Sequence, residues 1–311
     1  MAKKNKKMVH VAGDGTVVAT SQHHPPKHLR VREAKVSRST GGTVAIFIFL
    51  ALLGVVMLIP LYLAVINAFK PIEEIMVFPP KWYVHNPTTS NFVVLNRLAT
   101  SFWVPLSRYI FNSAFVAIVA TFSQIILSSM AAYPLAKLQF VGKKFLNRLI
   151  EWALLFGGGV SAYPVYLVMS QLHLINTYWA LILPVVASTM NLFLIRQSMG
   201  QMADSILEAA RIDGAGEYRI YWGIVMPNMK PAWITATIFA FQGIWSSTGG
   251  MYIYDESYKM LPSVMQQIAG GGIARTGATA AAAVVMMLPP ILLFIVSQNF
   301  ILDTMTNSGM K

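Results

Sequence analysis

The feature that most restricts the fold is a run of 27 residues, Thr43 to Phe69, that contains no charged side chain. A transmembrane α-helix needs about 20 consecutive apolar residues, whereas the apolar core of a signal peptide has only about 7–15. No small-residue cleavage site follows the run. It therefore predicts a retained membrane-spanning helix, in which Pro60 is tolerated as a kink.

Five further apolar stretches have estimated bounds of 109–135, 149–170, 177–197, 232–248 and 278–301. Charged residues make up 12% of the chain, about half the share in soluble domains. In the third stretch, Gly157, Gly158, Gly159 and Pro164 predict either a bent or interrupted helix or close packing of small residues. The sequence thus predicts an all-α integral membrane protein with six transmembrane helices over residues 43–311.

The distribution of basic residues predicts the orientation. The net charge is +12, and nine of the Lys and Arg residues precede position 43. The loops after the second and fourth spans are also rich in Lys and Arg, and such loops stay in the cytoplasm. Both termini are therefore expected to be cytoplasmic, with residues 1–42 forming a basic, largely disordered tail. A tail of this kind beside a span suits anionic lipid and not nucleic acid.

Residues for catalysis or metal binding are scarce. The chain has no cysteine, which excludes disulfides and thiolate metal sites. The His23–His24 pair lacks further ligands at suitable spacing, so we predict no metal site. The sequence contains no Walker A, HExxH or serine-elbow motif. We therefore expect that the chain is not an enzyme and holds no cofactor of its own.

The loop after the fourth span, residues 198–231, has a regular pattern. Its first part predicts a short helix over 201–213. Gly214 follows directly, and a glycine just past a helix end supplies the left-handed conformation that stops the helix. A second helix is predicted over 217–226, ending at Pro227. The pattern indicates a helix–turn–helix on the cytoplasmic side.

The first of these two helices combines an apolar face with a charged pair. Glu208 and Arg211 are three residues apart and are expected to form an ion pair on the helix surface. The apolar face is formed by Met202, Ile206, Leu207 and Ala210. Small residues at the centre of the loop would allow another surface to approach closely.

This loop resembles the EAA loop of ABC importer permeases. The matching residues are Glu208, Ala209, Ala210, Asp213, Gly214 and Ala215, followed by Pro227 and Pro231. The stretches from Tyr178 to Pro184, from Asn191 to Arg196 and from Leu288 to Pro290 also resemble carbohydrate-uptake permeases, in the branch of maltose-type second permeases. The likeness extends over about residues 43–311.

The resemblance implies a type I ABC importer permease in a bacterial plasma membrane. In that family the EAA loop forms the coupling helix, which docks in a cleft of the cytoplasmic ATPase. The implied partners are a second, different permease, two ATPase subunits that hold ATP and Mg²⁺, an extracellular sugar-binding protein and an oligosaccharide. Two local roles remain as alternatives, because Glu208 could simply pair with Arg211 and Asp213 could cap a helix end.

Polar and aromatic residues in the spans are candidates for the substrate path. We expect Asn191, Gln242, Trp245 and Tyr163 to line it, although hydrogen bonding between helices is the alternative for each. Further candidates are Asn112, Gln124 and Tyr166. The resemblance stops after Trp245, where many carbohydrate-uptake permeases continue with an asparagine and an aromatic residue.

An ion-coupled secondary transporter is the alternative function. Proton-coupled transporters usually carry buried ionisable residues in their spans. Here the predicted spans are nearly free of charge, and the main exception is Glu151, at an inner boundary.

Overall fold

The computed structural model describes residues 10–11, 17–18, 40–101, 104–155 and 158–308. Two short strands, β1 (His10–Val11) and β2 (Val17–Val18), pair in antiparallel register. The prediction of a disordered tail otherwise lies outside the described residues, as does the prediction made on Gly157. The rest of the described chain is mainly helical.

The helices are numbered along the chain. They are α1 Thr40–Phe69, α2 Ile72–Ile75, α3 Ser90–Thr100, α4 Leu106–Lys137, α5 Lys143–Leu155, α6 Gly158–Gln171, α7 Tyr178–Val186, α8 Thr189–Gly200, α9 Asp204–Ile212, α10 Glu217–Ile220, α11 Met226–Asn228, α12 Lys230–Trp245, α13 Leu261–Ala269 and α14 Thr276–Ser308. A π-helix, Tyr221–Val225, joins α10 to α11. Short 3₁₀ turns lie at Gly250–Tyr252, Glu256–Tyr258 and Ile273–Arg275.

The chain divides into two compact units, residues 1–56 and 57–311. In the first unit, the described part of α1 exposes its apolar side chains, and Phe47 is 71% exposed. Such a continuous apolar surface suits lipid rather than water. The second unit contains the packed core described below.

Four helical segments in the described chain are long and apolar enough to cross a membrane. They are Gly41–Phe69, Leu106–Lys137, Tyr178–Gly200 and Ile273–Gln298. The other two predicted spans correspond to shorter helices. The span predicted over 149–170 contains α5 and α6, with 13 and 14 residues, and the span predicted over 232–248 contains α12, with 16. The predicted helices lie where expected within a few residues, but the count of six spans and the cytoplasmic termini stay predictions.

The span predicted over 149–170 contains α5 and α6, and residues 156–157 between them lie outside the described part of the chain. Another predicted span is interrupted within the described residues. The span predicted over 177–197 breaks at Ala187 and Ser188, between α7 and α8. Ser188 caps α8, because its Oγ accepts a hydrogen bond from the Asn191 backbone N–H at 3.3 Å. Neither the local apolar pattern nor Pro184 indicated this break.

α4 is the central helix of the second unit, and it packs against α7, α8 and α12. Its buried face contributes to two hydrophobic clusters. One lies around Val116, Ala120, Trp245 and Leu261, and the other around Ile125, Ile195, Leu207 and Val225. The second cluster brings the loop after α8 into contact with the membrane helices.

Residues 70–107 lie between the first two predicted spans, on the side opposite the predicted cytoplasmic loops, and contain α2 and α3. α3 packs against α14, and its buried Asn91 donates hydrogen bonds to the backbone oxygens of Ala68 at 3.0 Å and Lys70 at 2.7 Å. These bonds satisfy carbonyls at the end of α1, which a helix terminus otherwise leaves without partners. In the loop before α14, the sequence did not predict α13.

Candidate coupling segment and transport cavity

The segment that resembles the coupling loop forms α9 and α10 with a sharp turn between them. Leu207 and Ala210 point into the core, at 1% and 9% exposure. Met202 packs partly against the same cluster, whereas Ile206 is 46% exposed. The buried face of α9 is therefore narrower than the predicted apolar face. Burial of Leu207 and Ala210 fixes the rotation of α9 about its own axis, relative to the membrane helices.

Gly214 ends this helix as predicted. Its φ is +80°, in the left-handed region that side chains with a Cβ disfavour. The Ala215 N–H then bonds to the Ala210 carbonyl at 3.0 Å, which satisfies one of the carbonyls at the helix end. The chain reverses here and begins α10 at Glu217.

The prediction that Glu208 and Arg211 form an ion pair is wrong. Arg211 Nε instead donates a 2.7 Å hydrogen bond to Glu217 Oε1, across the turn at Gly214. Glu217 Oε2 also accepts a short hydrogen bond from the Tyr133 hydroxyl on α4. Arg211 foremost, and Tyr133 after it, lower the pKa of Glu217 by hydrogen bonding to the carboxylate. The turn is therefore closed by a charged pair that is also attached to α4.

Lys137, at the last position of α4, holds the start of α9. Its side chain is only 4% exposed, and Nζ lies 2.7 Å from Asp204 Oδ1. Nζ also donates to the Met202 carbonyl at 2.5 Å and the Gly200 carbonyl at 3.4 Å. The same bond from Lys137 lowers the pKa of Asp204. A lysine that is nearly buried is thus compensated by a carboxylate and two carbonyls, as burial of a charge requires.

The face of α9 that points away from the core remains available. Glu208 and Ala209 are exposed, as are Asp213 and Gly214 at the turn. Ile212 is 86% exposed. Glu208 has no hydrogen-bond or ion-pair partner within the described part of the chain. Ala210 is packed inward and Ala215 is half-buried, so Ala209 is the small residue that this face of the helix offers to a partner.

A cavity of about 350 Å³ lies beside the break between α7 and α8. Its polar lining consists of Gln124 from α4, Ser188 from the break and Asn191 from α8. Asn191 is 2% exposed, and its amide nitrogen lies 3.4 Å from the Ala236 carbonyl. Gln124 is 5% exposed, and its side-chain oxygen is buried without a hydrogen-bond partner. An unpaired buried amide oxygen is costly, so it marks a place suited to a donor from outside the chain.

The other predicted path residues are not brought to this cavity. Tyr163 lies on α6 and is 67% exposed, and Gln242 is exposed on α12. Trp245 is 3% exposed and stacks on Phe241 with ring centroids 5.8 Å apart. Of the four residues, Asn191 alone lines the cavity.

Trp245 has a structural role within the helix bundle. Its indole N–H donates a 2.8 Å hydrogen bond to the Met286 carbonyl on α14. In an α-helix that carbonyl would accept from residue 290, which is proline and has no N–H. Trp245 therefore satisfies a carbonyl that Pro290 leaves without a partner, and this explains its burial better than contact with a sugar does.

Sequence reasoning missed the residues that attach the coupling segment to α4. Lys137 counted only among the basic residues after the second span that predict the orientation, and Tyr133 was not singled out. Lys137 stands 67 positions from Asp204, and Tyr133 stands 84 from Glu217. Local periodicity contains no signal for such pairs.

Comparison with known proteins now identifies the family. The family of binding-protein-dependent transport system inner membrane components matches residues 43–306. The chain belongs to this family. The permease is accordingly a multi-pass protein of the bacterial inner membrane, and its role is transport and not enzymatic catalysis.

Individual relatives of the permease agree with this assignment. Protein LplC of Bacillus subtilis is 37% identical over 50% of this chain and 53% of its own length. The polygalacturonan/rhamnogalacturonan transport system permease protein YtcP of the same species is 28% identical over 72% and 76%. The probable ABC transporter permease protein YurM, also from that species, is 27% identical over 92% and 95%.

The permease also shares its fold with solved transporters. A chain of a bacterial ABC transporter that imports the acidic polysaccharide alginate superposes with a TM-score of 0.69. The match covers 85% of the permease and 98% of that chain, at 20% identity. The predicted ABC importer permease fold is confirmed.

Proposed function

We propose that this chain is one of two different permease subunits in an ATP-driven importer of oligosaccharides. It would form half of the translocation path and couple that path to two cytoplasmic ABC ATPases, which hold the ATP and Mg²⁺. An extracellular sugar-binding protein would deliver the substrate. Alternating access driven by ATP binding and hydrolysis would then move the sugar inward.

The observation that carries the proposal is the construction of the coupling segment. One face of α9 is anchored by Leu207 and Ala210, and its start is held by Lys137. The opposite face presents Glu208, which has no partner in the described chain, beside exposed Ala209. A short, anchored helix with an unpaired charge and a small residue on its free face is suited to docking in a basic cleft of another protein.

The oligosaccharide assignment draws on the names of relatives and on the cavity. YtcP is named for transport of polygalacturonan and rhamnogalacturonan, and the relative AraQ of Halalkalibacterium halodurans for transport of arabinooligosaccharides. Sugars present many neutral hydroxyl groups, and the cavity offers the neutral hydrogen-bonding groups of Gln124, Asn191 and Ser188. We propose this cavity as part of the substrate path, with Asn191 on its wall and exposed Tyr163 and Gln242 elsewhere along the route.

The docking role is tested by Glu208→Ala, measured as recovery of the ATPase with the tagged permease and as ATP-driven sugar uptake in vesicles. We expect reduced ATPase recovery or uptake, with normal membrane insertion, because no contact of Glu208 within the described chain is lost. Gln201→Ala is the matched control, since Gln201 is also exposed in this loop but lies outside the docking face. Equal, wild-type behaviour of both variants would remove Glu208 from the docking surface.

A further inference from the structure

α4 is attached at both ends to segments that do not follow it in the chain. It runs as one α-helix from Leu106 to Lys137. At 1.5 Å per residue its 32 residues extend about 48 Å. It contains Pro134, which lies in the last turn. Pro134 thus lies beside the attachment at the Lys137 end, and the helix from Ser113 to Ser129 contains no proline.

The Lys137 end holds the coupling segment. Lys137 contacts the start of α9 through Asp204, and Tyr133 contacts the start of α10 through Glu217. A third bond joins Ser129 to Tyr221 of the π-helix, with hydroxyls 2.6 Å apart. Three residues in the last turns of α4 thus form hydrogen bonds to the coupling segment on both sides of the Gly214 turn.

The other end of α4 holds the loop that precedes α13. Asn112 is fully buried and donates 2.9 Å hydrogen bonds to the carbonyls of both Ser257 and Lys259. Its Oδ1 accepts a 2.7 Å bond from the Tyr178 hydroxyl. Tyr109 donates to Glu256 at 2.9 Å.

The same turn of α4 also fixes the first residue of α13. Buried Ser113 accepts a bond from the Leu261 N–H at 2.7 Å. Together with Tyr109 and Asn112, it holds residues 256–261, which lie on the predicted outer side.

We propose that α4 transmits movement of the coupling segment to the loop 256–261, with Lys137 and Asn112 as the positioning residues at its two ends. This inference rests on the proposed function. Lys137 and Asn112 are 25 positions apart, about 38 Å along the helix. Since α4 packs against α7, α8 and α12 between the attachments, displacement of one end moves the other and is not absorbed by bending.

The covalent route between the same two segments is less direct. It passes from the coupling segment through α12, which ends at Trp245, and then through Gly249 and Gly250. Both glycines have positive φ, +78° and +48°. Positive φ at two successive glycines takes this route out of the α-helical conformation, whereas α4 is helical from one attachment to the other. The α4 route therefore carries the movement in this proposal.

A cysteine reporter tests the inference in the assembled transporter. The chain has no native cysteine, so Met251→Cys supplies a single labelling site. Met251 is 46% exposed and lies in the loop that leads to residue 256. The rate of reaction with a membrane-impermeant maleimide is compared in two states, nucleotide-free and trapped with vanadate, in vesicles that contain the complete complex.

With Met251→Cys as the only substitution, we expect the labelling rate to differ between the two states. When Lys137→Met is added, we expect this difference to be lost. That substitution removes the ammonium group but keeps an unbranched side chain to fill its site. Lys144→Met is the matched control, because Lys144 is exposed and has no hydrogen-bond or ion-pair partner among the described residues. This variant should retain the full difference in labelling rate between the two states.

The complex carrying Lys137→Met should still contain the ATPase and hydrolyse ATP. Its uptake should fall about tenfold or more, as expected when charge-assisted bonds at a buried site are removed.

Two results would overturn the inference: an unchanged difference with Lys137→Met, or no difference with the reporter alone in a complex that transports. If Lys137→Met fails to assemble, Asp204→Asn replaces it, since this change keeps the bonds from Lys137 to the two carbonyls. A partial loss is then expected, and full retention counts against the inference. A complex without an ATPase would instead contradict the proposed function.

Discussion

Lys137, the last residue of α4, donates a 2.7 Å hydrogen bond to Asp204, the first residue of α9. Each charge also lies at the helix end where the macrodipole favours it, the cation at a C-terminus and the anion at an N-terminus. The bond connects a membrane helix to the segment proposed to meet the ATPase. It therefore joins α4 directly to α9.

The turn between α9 and α10 depends on glycine at position 214 but not at position 216. Gly214→Ala places a Cβ at φ +80° and is expected to destabilise the segment by about 1–2 kcal/mol. Gly216→Ala is the control, because its φ is −70° and nothing lies within 4 Å of the added Cβ at either position. Hydrogen exchange of residues 204–225 should accelerate only in the first variant. Equal exchange in both would contradict the strained-turn account.

The attachment of the turn should depend on pH through Glu217. Its pKa is lowered below the usual 4.5 by the bonds from Arg211 and Tyr133. A carboxylate with a depressed pKa in the folded state adds stability that is complete above its unfolded pKa and is lost as pH falls through the folded value.

Exchange protection factors for residues 211–221 should therefore stay constant from neutral pH down to about pH 5 and decline below that. Glu217→Gln should lower protection already at neutral pH and flatten the dependence. Glu208→Gln is the control, since Glu208 has no partner among the described residues, and it should behave as wild type. A decline that begins near pH 7 would exclude Glu217 as its cause.

The side chain of Gln124 is expected to lower thermal stability and to support sugar uptake. Removal of an unpaired buried amide oxygen relieves a cost of about 1–3 kcal/mol, so Gln124→Leu is expected to leave thermal stability unchanged or raise it while sugar uptake falls. Thr121→Val provides the control, because the Thr121 hydroxyl is also buried and unpaired but does not line the cavity. It should preserve uptake. Normal uptake with Gln124→Leu would remove this residue from the substrate path.

The contribution of Trp245 to stability is expected to depend on the proline at position 290. Trp245→Phe leaves the Met286 carbonyl without its donor and should cost about 1–3 kcal/mol. In a Pro290→Ala background, the alanine N–H can pair with that carbonyl, so the same substitution should cost measurably less. Thermal unfolding of the four proteins of this double-mutant cycle measures the coupling between the two sites. Identical costs in both backgrounds would contradict the assigned role.

Features that depend on nearby residues were predictable from the sequence. The apolar run at Thr43–Phe69 predicted α1, and Gly214 predicted the end of α9, because length and backbone conformation are local properties. The resemblance at Glu208–Ala215 predicted a coupling segment, and the structure shows which of its side chains are exposed.

Features that depend on distant residues were not predictable in this way. The partner of Arg211 proved to be Glu217 and not Glu208, because the turn at Gly214 brings α10 back towards α9. The role of Trp245 depended on a proline 45 positions later in the chain. The cavity required the break at Ser188, which a hydropathy pattern does not reveal, since α7 and α8 together still read as one apolar stretch.

The most direct test of the central claim is the composition of the complex that contains this chain. The tagged permease would be extracted from native membranes in mild detergent and its co-purifying subunits quantified by mass spectrometry. The account predicts one copy of a second, different permease and two copies of an ABC ATPase for each copy of this chain, with a sugar-binding protein recovered when its ligand is present. Recovery of the chain alone from several mild detergents, with uptake that does not require ATP, would contradict it.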